Sequence, residues 1–193
     1  IGEPMKRWAA LSLTKPYYDR SGKAVKYPSF AVNEEYPQVK ADWLVQTGAG
    51  IYCSPAVWKD KVYVGDDLGF LTCYTLKSGQ KLWNFQSGKR IVGTPDVADG
   101  VVVFGSADHN IYGLDARTGK ERWRVTAGEP VLGAVTIEKG VAYIGASDST
   151  FRAIHIKSGK VLWSYAGIKG YVETKPLIEG NKVIFGAWDN TLY

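Results

Sequence analysis

The sequence predicts an all-β protein, a β-propeller built from four-stranded antiparallel blades of about 40 residues each. One observation is a tryptophan that recurs every 40 residues, at Trp43, Trp83, Trp123 and Trp163. A second is a glycine four residues before three of these tryptophans, at Gly79, Gly119 and Gly159. The third is the pattern inside each unit, where short β-branched and aromatic runs alternate with polar turns.

Four strands are predicted in each unit, and the first unit shows them in order. The first strand is IYCSPAV, and the second is KVYVG, which stops at Gly65 as a strand entering a turn should. The third strand is FLTCYTL. The polar turn KSGQ, with a glycine that tolerates a positive φ, then leads into the fourth strand, KLWNF. The later units repeat this order, with VVVFG, VAYIG and KVIFG as their second strands.

Two other fold classes fit the pattern less well. A parallel α/β sheet is excluded because no crossover helix of ten or more residues fits between the predicted strands. A β-sandwich stays open as an alternative, although a sandwich does not require the same tryptophan in every fourth strand. The propeller is the preferred interpretation.

The sequence divides into an N-terminal segment, residues 1–42, and a propeller region, residues 43–193. We expect the first segment to be a linker or the tail of an upstream segment. The propeller region consists of the repeats 43–82, 83–122 and 123–162 and a partial repeat, 163–193. Because propellers typically close with four to eight blades, we expect the chain to cover about four blades of a larger propeller. An open blade edge then favours self-association.

An eleven-residue motif ends at three of the tryptophans, in CYTLKSGQKLW, GLDARTGKERW and AIHIKSGKVLW. It resembles the A-x-D-x-x-T-G-x-x-x-W motif of the pyrroloquinoline-quinone-like (PQQ-like), or tryptophan-docking, propeller repeats. The resemblance covers residues 43–193 and implies that each indole locks one blade to its neighbour. The residues to which it gives this structural docking role are Trp83, Trp123, Trp163, Gly79, Gly119, Gly159 and Asp115.

The motif also has a physical explanation. A small residue at its first position (Cys73, Gly113 or Ala153) leaves room for the indole, and the glycine lets the ring stack on a bare peptide plane. Burying such a ring contributes on the order of 2–3 kcal/mol per blade. Thr75 and His155 replace the acid of the third position, so we expect looser turns in those two blades.

The resemblance raises the question of a cofactor, because quinone-dependent dehydrogenases share this fold. Those enzymes hold PQQ between a tryptophan and a disulfide of adjacent cysteines, beside a calcium ion. Here Cys53 and Cys73 are not adjacent, so we expect two buried free thiols and no PQQ. Calcium needs six to eight converging oxygen ligands, whereas the aspartates after the mid-unit glycines are typical turn residues, so calcium is not expected either. These aspartates are Asp66, Asp67, Asp108, Asp148 and Asp189.

No complete catalytic signature is present, because neither His109 nor His155 has a partnered serine, cysteine or second histidine. What remains is a surface. The turns between second and third strands and the connections between blades share one face of a propeller, and an exposed aromatic beside charge is typical of a binding hot spot. We call this the interaction face, and its predicted residues are Trp188, Asp67, His109, Arg90 and Lys169. Alternatively, Trp188 covers the neighbouring blade.

Charge and hydropathy argue against nucleic-acid binding and against a transmembrane segment. The formal charge is +5, but the lysines and arginines are scattered among turns, so nucleic acid is not an expected partner. No run of about 18 uncharged apolar residues is present, so no transmembrane segment is expected.

The sequence thus predicts a noncatalytic PQQ-like propeller that binds a protein or polymer ligand. The alternative is the propeller part of a larger enzyme, either a quinone-dependent dehydrogenase or a propeller fused to a hydrolase, phosphoesterase or kinase. The resemblance suggests a bacterial, extracytoplasmic setting, periplasmic or extracellular.

Overall fold

The computed structural model describes residues 17–18, 24–25 and 41–193. The chain divides into two compact units, Ile1–Ala41 and Asp42–Tyr193. In the first unit, β1 (Tyr17–Tyr18) pairs antiparallel with β2 (Ala24–Val25). The prediction that residues 1–42 form a linker or an upstream tail lies mostly outside the described residues.

The second unit is a series of antiparallel sheets, which confirms the predicted all-β propeller of four-stranded blades. The first blade contains β3 (Ala56–Trp58), β4 (Lys61–Gly65), β5 (Phe70–Thr75) and β6 (Lys81–Gln86). The second contains β7 (Asp96–Ala98), β8 (Val101–Gly105), β9 (Asn110–Asp115) and β10 (Glu121–Thr126). The third contains β11 (Thr136–Glu138), β12 (Val141–Gly145), β13 (Phe151–His155) and β14 (Val161–Tyr165). The fourth contains β15 (Leu177–Glu179) and β16 (Lys182–Ile184), followed by a bridge between Gly186 and Leu192.

The order of strands in each four-stranded blade follows the chain, from the first strand to the fourth. The first strands of successive blades, β3, β7, β11 and β15, contact one another and therefore form the inner ring. The tryptophans lie in the fourth, outer strands, as Trp83 does in β6. Repeats counted from tryptophan to tryptophan are consequently offset from the sheets.

The hydrophobic core lies between the faces of neighbouring blades. Val101 and Ile111 of the second blade pack with Ile144 and Ile154 of the third, and all four side chains are fully buried. Every residue of β8 is buried, which explains why its sequence, VVVFG, is apolar throughout. The sheets therefore stabilise one another face to face.

Aromatic rings continue this packing between the third and fourth blades. Phe151 of β13 stacks on Phe185, with ring centroids 4.1 Å apart and an interplanar angle of 7°. Phe185 in turn stacks on Tyr193, with ring centroids 5.3 Å apart.

In the part of the chain that the structure describes, no helix is long and apolar enough to cross a membrane.

Candidate functional site

Trp123 shows how one blade holds the next. Its indole lies against Gly159 in a turn of the third blade, where an added Cβ would come within 2.7 Å of the ring. Its Nε1 donates a hydrogen bond of 2.6 Å to the carbonyl of Ile156. On β9, Gly113 pairs with Trp123 in the same sheet, and a Cβ there would meet the indole at 2.1 Å. The ring is only 9% exposed, because both blades cover it.

Two other tryptophans repeat this arrangement, each against the glycine turn of the following blade. The contacting pairs are Trp43 with Gly79 and Trp83 with Gly119. Their indole nitrogens donate hydrogen bonds of 2.8 Å and 3.3 Å to the carbonyls of Leu76 and Ala116, respectively. Each motif glycine therefore contacts the tryptophan 36 residues before it in the sequence, and not the tryptophan that follows it by four residues.

Trp163 has a different environment. It lies opposite Ala153 in the third blade and stacks on Phe151 at 6.1 Å, yet it is 43% exposed. Among the described residues, no glycine turn lies against its indole. Every residue of its strand, β14, is exposed. The outer edge of the third blade thus presents apolar and aromatic surface.

The turns at the third motif position keep one backbone geometry despite their different side chains. The glycine amide donates to the carbonyl of Thr75, Asp115 or His155 at 3.0, 2.8 and 2.9 Å, so the expected looser turns are not seen in the backbone. Asp115 additionally accepts bonds from the amides of Arg117 and Thr118. Its bond with Arg122 lowers the pKa of Asp115 to about 2. The carboxylate of Asp115 therefore stabilises its own turn.

The aspartates between second and third strands connect neighbouring blades. Asp148 accepts hydrogen bonds from the amide of Thr150 in its own turn and from the amide of Gly128 in the connection between blades. Burial acts to raise the pKa of Asp148, but its pair with Arg152 and the Gly128 amide outweigh burial and lower it. Asp108 and Asp189 occupy the same repeat position and accept the same two kinds of bond. The donors are the amides of Asn110 and Gly88 for Asp108, and those of Thr191 and Lys169 for Asp189.

These carboxylates are engaged by amides and do not converge on one point. Among the described residues, no group of three or more histidines, cysteines, aspartates or glutamates could hold a metal ion. Asp66, in the first blade, likewise accepts the amides of Leu68 and Phe70. The arrangement favours a structural role for the turn acids.

Cys53 and Cys73 are both buried free thiols. Burial raises the pKa of Cys73 to about 11 and also raises the pKa of Cys53 above its usual value. Because the thiolate is the reactive form, both groups are poor nucleophiles at neutral pH.

Two of the predicted interaction-face residues meet in one groove. Asp67 and Arg90 line a groove of about 490 Å³ together with Lys89, Ala107 and Pro130. The backbone fixes this neighbourhood, because the amide of Ala107 donates to the carbonyl of Arg90 at 2.9 Å. The groove lining therefore combines residues of both charges with two small apolar residues.

Trp188 and Lys169 meet in the fourth blade. Trp188 is 70% exposed, so most of its ring lies in solvent and not against the neighbouring blade. Its amide donates to the carbonyl of Tyr171, which is itself 54% exposed. The amide of Lys169 donates to Asp189, the residue after Trp188. Two exposed aromatic residues and a lysine therefore share this part of the face.

His109 lies apart from both groups, in the turn of the second blade. Its φ of 73° matches the positive φ of Gly69, Ser149 and Asn190 at the same repeat position, so this residue shapes a turn.

Tyr171 was not among the residues predicted for the interaction face. A comparison of repeats contains the signal for it, because Tyr171 occupies the position of Arg90 and Pro130 in earlier connections.

Solved structures that align with this chain include a natural protein and two designed proteins. The crystal structure of BamB from Moraxella catarrhalis aligns with a TM-score of 0.69 and 14% identity, covering 77% of this chain and 47% of that chain. The computationally designed Ika4 protein aligns with a TM-score of 0.70 and 24% identity, covering 78% of this chain and 93% of that one. For the designed Ika8 protein, the TM-score is 0.66 at 24% identity, with coverage of 74% and 44%.

Sequence comparison adds a relative and a family. "Outer membrane protein assembly factor BamB" of Xanthomonas campestris pv. campestris is 29% identical in an alignment of 114 positions, which covers 50% of this chain and 28% of that protein. The chain thus spans less than half the length of both BamB proteins that it matches. The family model described as "Outer membrane protein assembly factor BamB" matches residues 31–124 and 105–193. Since these matches cover most of the chain, it belongs to this BamB-like family of PQQ-repeat propellers.

Proposed function

We propose that this chain is a noncatalytic propeller scaffold that binds a protein or polymer ligand through its interaction face. The observation that carries the proposal is the pair of exposed aromatic residues, Trp188 and Tyr171, joined through their backbones and next to Lys169. Tryptophan and tyrosine are enriched among the residues that dominate binding energy in protein interfaces. The groove with Asp67 and Arg90 supplies charged groups on the same face.

The relatives support a setting and a class of partner. Both BamB proteins come from bacteria, and the curated relative is named an outer membrane protein assembly factor. We therefore propose that this chain works outside the cytoplasm, in the periplasm, and that its ligand is a protein of outer-membrane assembly. Nucleic acid is not among the proposed partners, since the cationic residues are dispersed.

The binding proposal predicts that Trp188→Ala combined with Tyr171→Ala weakens binding of an outer-membrane assembly protein at least about 30-fold, because two anchoring rings are lost. The partner is identified first by a photo-crosslinking amino acid at position 188 in cells. The same crosslinker at Lys120, in an exposed turn of the opposite face, is the control. Affinities of the purified pair are then measured by calorimetry.

A matched variant, Lys120→Ala, should leave the affinity unchanged. Equal crosslinking from positions 188 and 120, or equal affinities of the aromatic variant and the original chain, would contradict the proposed face.

We also propose self-association through the exposed strand β14, whose Trp163, Tyr165 and Leu162 are all exposed. It would appear as a concentration-dependent mass in light scattering of the chain without partner.

We further propose that the chain works without PQQ or calcium. The cysteines are buried thiols, and the turn acids are bonded to amides of their own and neighbouring blades. Adding PQQ and calcium to the 193-residue chain should leave its melting temperature unchanged. A saturable, micromolar increase in thermal stability would refute this prediction, since a ligand that binds the folded state stabilises it.

A further inference from the structure

A cavity of about 360 Å³ lies between the second and third blades, on the face opposite the interaction face. Successive turns of an antiparallel sheet alternate between its two ends, so this face contains the turns that join first to second and third to fourth strands. Ala98 and Asp99 line the cavity from the second blade. Lys139, Gly140, His155 and Lys157 line it from the third.

The corresponding space between the first and second blades is filled. Trp58 stands 40 residues before Ala98, at the same repeat position. Its indole reaches Gly100, where the ring lies 3.9 Å from the position of an added Cβ. Gly140 is the repeat counterpart of Gly100, yet no atom lies within 4 Å of its added Cβ. Because the second blade has Ala98 where the first has Trp58, no indole fills this space, and the cavity remains open.

The filled site also shows how this face holds an aromatic ring. Trp58 packs against the apolar core of the first two blades, and the Nζ of Lys59 lies 4.5 Å from the centre of its ring. A glycine turn and a nearby cation are favourable surroundings for a flat aromatic group. At the empty site, Gly140 of the third blade again supplies the glycine turn, but Asp99 stands at the repeat position of Lys59. The cations in the lining, Lys139 and Lys157, belong to the third blade.

The charges at the cavity differ from those at the filled site. His155 occupies the repeat position of Asp115, and its Nδ1 is hydrogen-bonded to the Oγ of Ser158 at 2.9 Å. Lys139 and Lys157 add two exposed amines, opposed by Asp99 in the lining and by Glu138, whose carboxylate is 3.7 Å from the Lys139 amine. At the first interface, Arg117 stands at the position of Lys157, but the carboxylates of Asp99 and Asp115 stand at the positions of Lys139 and His155. An anion at the cavity therefore meets an amine and an imidazole where the first interface has two carboxylates.

We propose that this cavity binds a planar aromatic group that carries a carboxylate. The ring occupies the space that Trp58 fills at the first interface, over Gly140, and the carboxylate lies near Lys139 and Lys157. This site is separate from the interaction face, so it does not depend on the proposed function. For a ligand of this size, we expect a dissociation constant on the order of 1 mM.

Indole-3-acetate is the probe, titrated into the whole 193-residue chain while amide chemical shifts are recorded. Saturable shifts are expected at the amides of Ala98, Gly140 and Lys157. Neutral 3-methylindole should bind at least about five-fold more weakly, because it lacks the carboxylate that the amines attract. Ala98→Trp fills the cavity as Trp58 does, and it should abolish the shifts.

Two further variants keep the test informative if Ala98→Trp fails to fold. Lys139→Gln with Lys157→Gln changes exposed side chains only, and it should reduce the affinity for indole-3-acetate to that for 3-methylindole. Trp58→Ala opens the first interface, where Asp99 and Asp115 stand at the positions of Lys139 and His155 and offset the charge of Arg117. It should therefore add a second site without preference for the carboxylate. Absence of saturable shifts, equal affinity for both probes in the original chain, or unchanged binding by a folded Ala98→Trp variant would each overturn the proposal.

Discussion

Replacing Trp123 with alanine is expected to lower the free energy of unfolding by about 3–5 kcal/mol. The indole is buried between two blades and donates a hydrogen bond to the carbonyl of Ile156. Removing it leaves a cavity against Gly113 and Gly159, whose lack of side chains prevents the site from closing by small movements. Denaturant unfolding followed by circular dichroism measures the change.

The matched control is Trp163→Ala, the same substitution at the same motif position in the next repeat. Trp163 is nearly half exposed, and its aromatic contacts are with Phe151 and Tyr143 of its own blade, so we expect a loss of about 1 kcal/mol. Equal losses for the two variants would show that burial between blades is not the source of the stabilisation. A smaller loss at Trp123 than at Trp163 would reverse the argument altogether.

Replacing Gly93 with alanine is expected to destabilise the chain by about 1–3 kcal/mol, as overpacking in a close-packed interior does. An added Cβ would lie 2.1 Å from the carbonyl oxygen of Gly133 and 2.9 Å from that of Leu132. Both atoms belong to the backbone of the next blade, so no side-chain rotation can make room. The two blades have to separate locally.

Gly50→Ala serves as the control for Gly93→Ala. Its added Cβ would first meet the ring of Tyr52 at 3.4 Å, an ordinary contact with an exposed side chain. We therefore expect a change within about 0.5 kcal/mol, as for most surface substitutions. Melting temperatures measured side by side test both variants, and a Gly93→Ala chain as stable as Gly50→Ala would mean that the inner strands tolerate a wider spacing.

The comparison of repeats predicted the local structure well, because strands and turns depend on nearby residues. The run VVVFG predicted β8, and its uniformly apolar sequence matches a strand buried on both faces. The glycine of the turn after β9 predicted a positive φ, and Gly119 has a φ of 72°. The order of strands within a blade also follows from the sequence, because a short turn can join only two strands that are antiparallel neighbours in the sheet.

The candidate site was predicted only in part. Trp188 is exposed on the fourth blade, Tyr171 beside it was missed, and His109 lies in a separate turn. The sequence identifies which residues belong to turns. It does not state which turns of different blades meet.

By itself, the sequence determined the period, the strands and the turns, because a 40-residue repeat encodes the same local contacts in each blade. The tertiary structure decided what lies between blades. It pairs Trp83 with Gly119 of the following repeat, and it fills one interface with Trp58 while leaving a cavity beside Ala98 at the next. Contacts of this kind depend on how two sheets are offset when they pack, and no spacing along the chain specifies that offset.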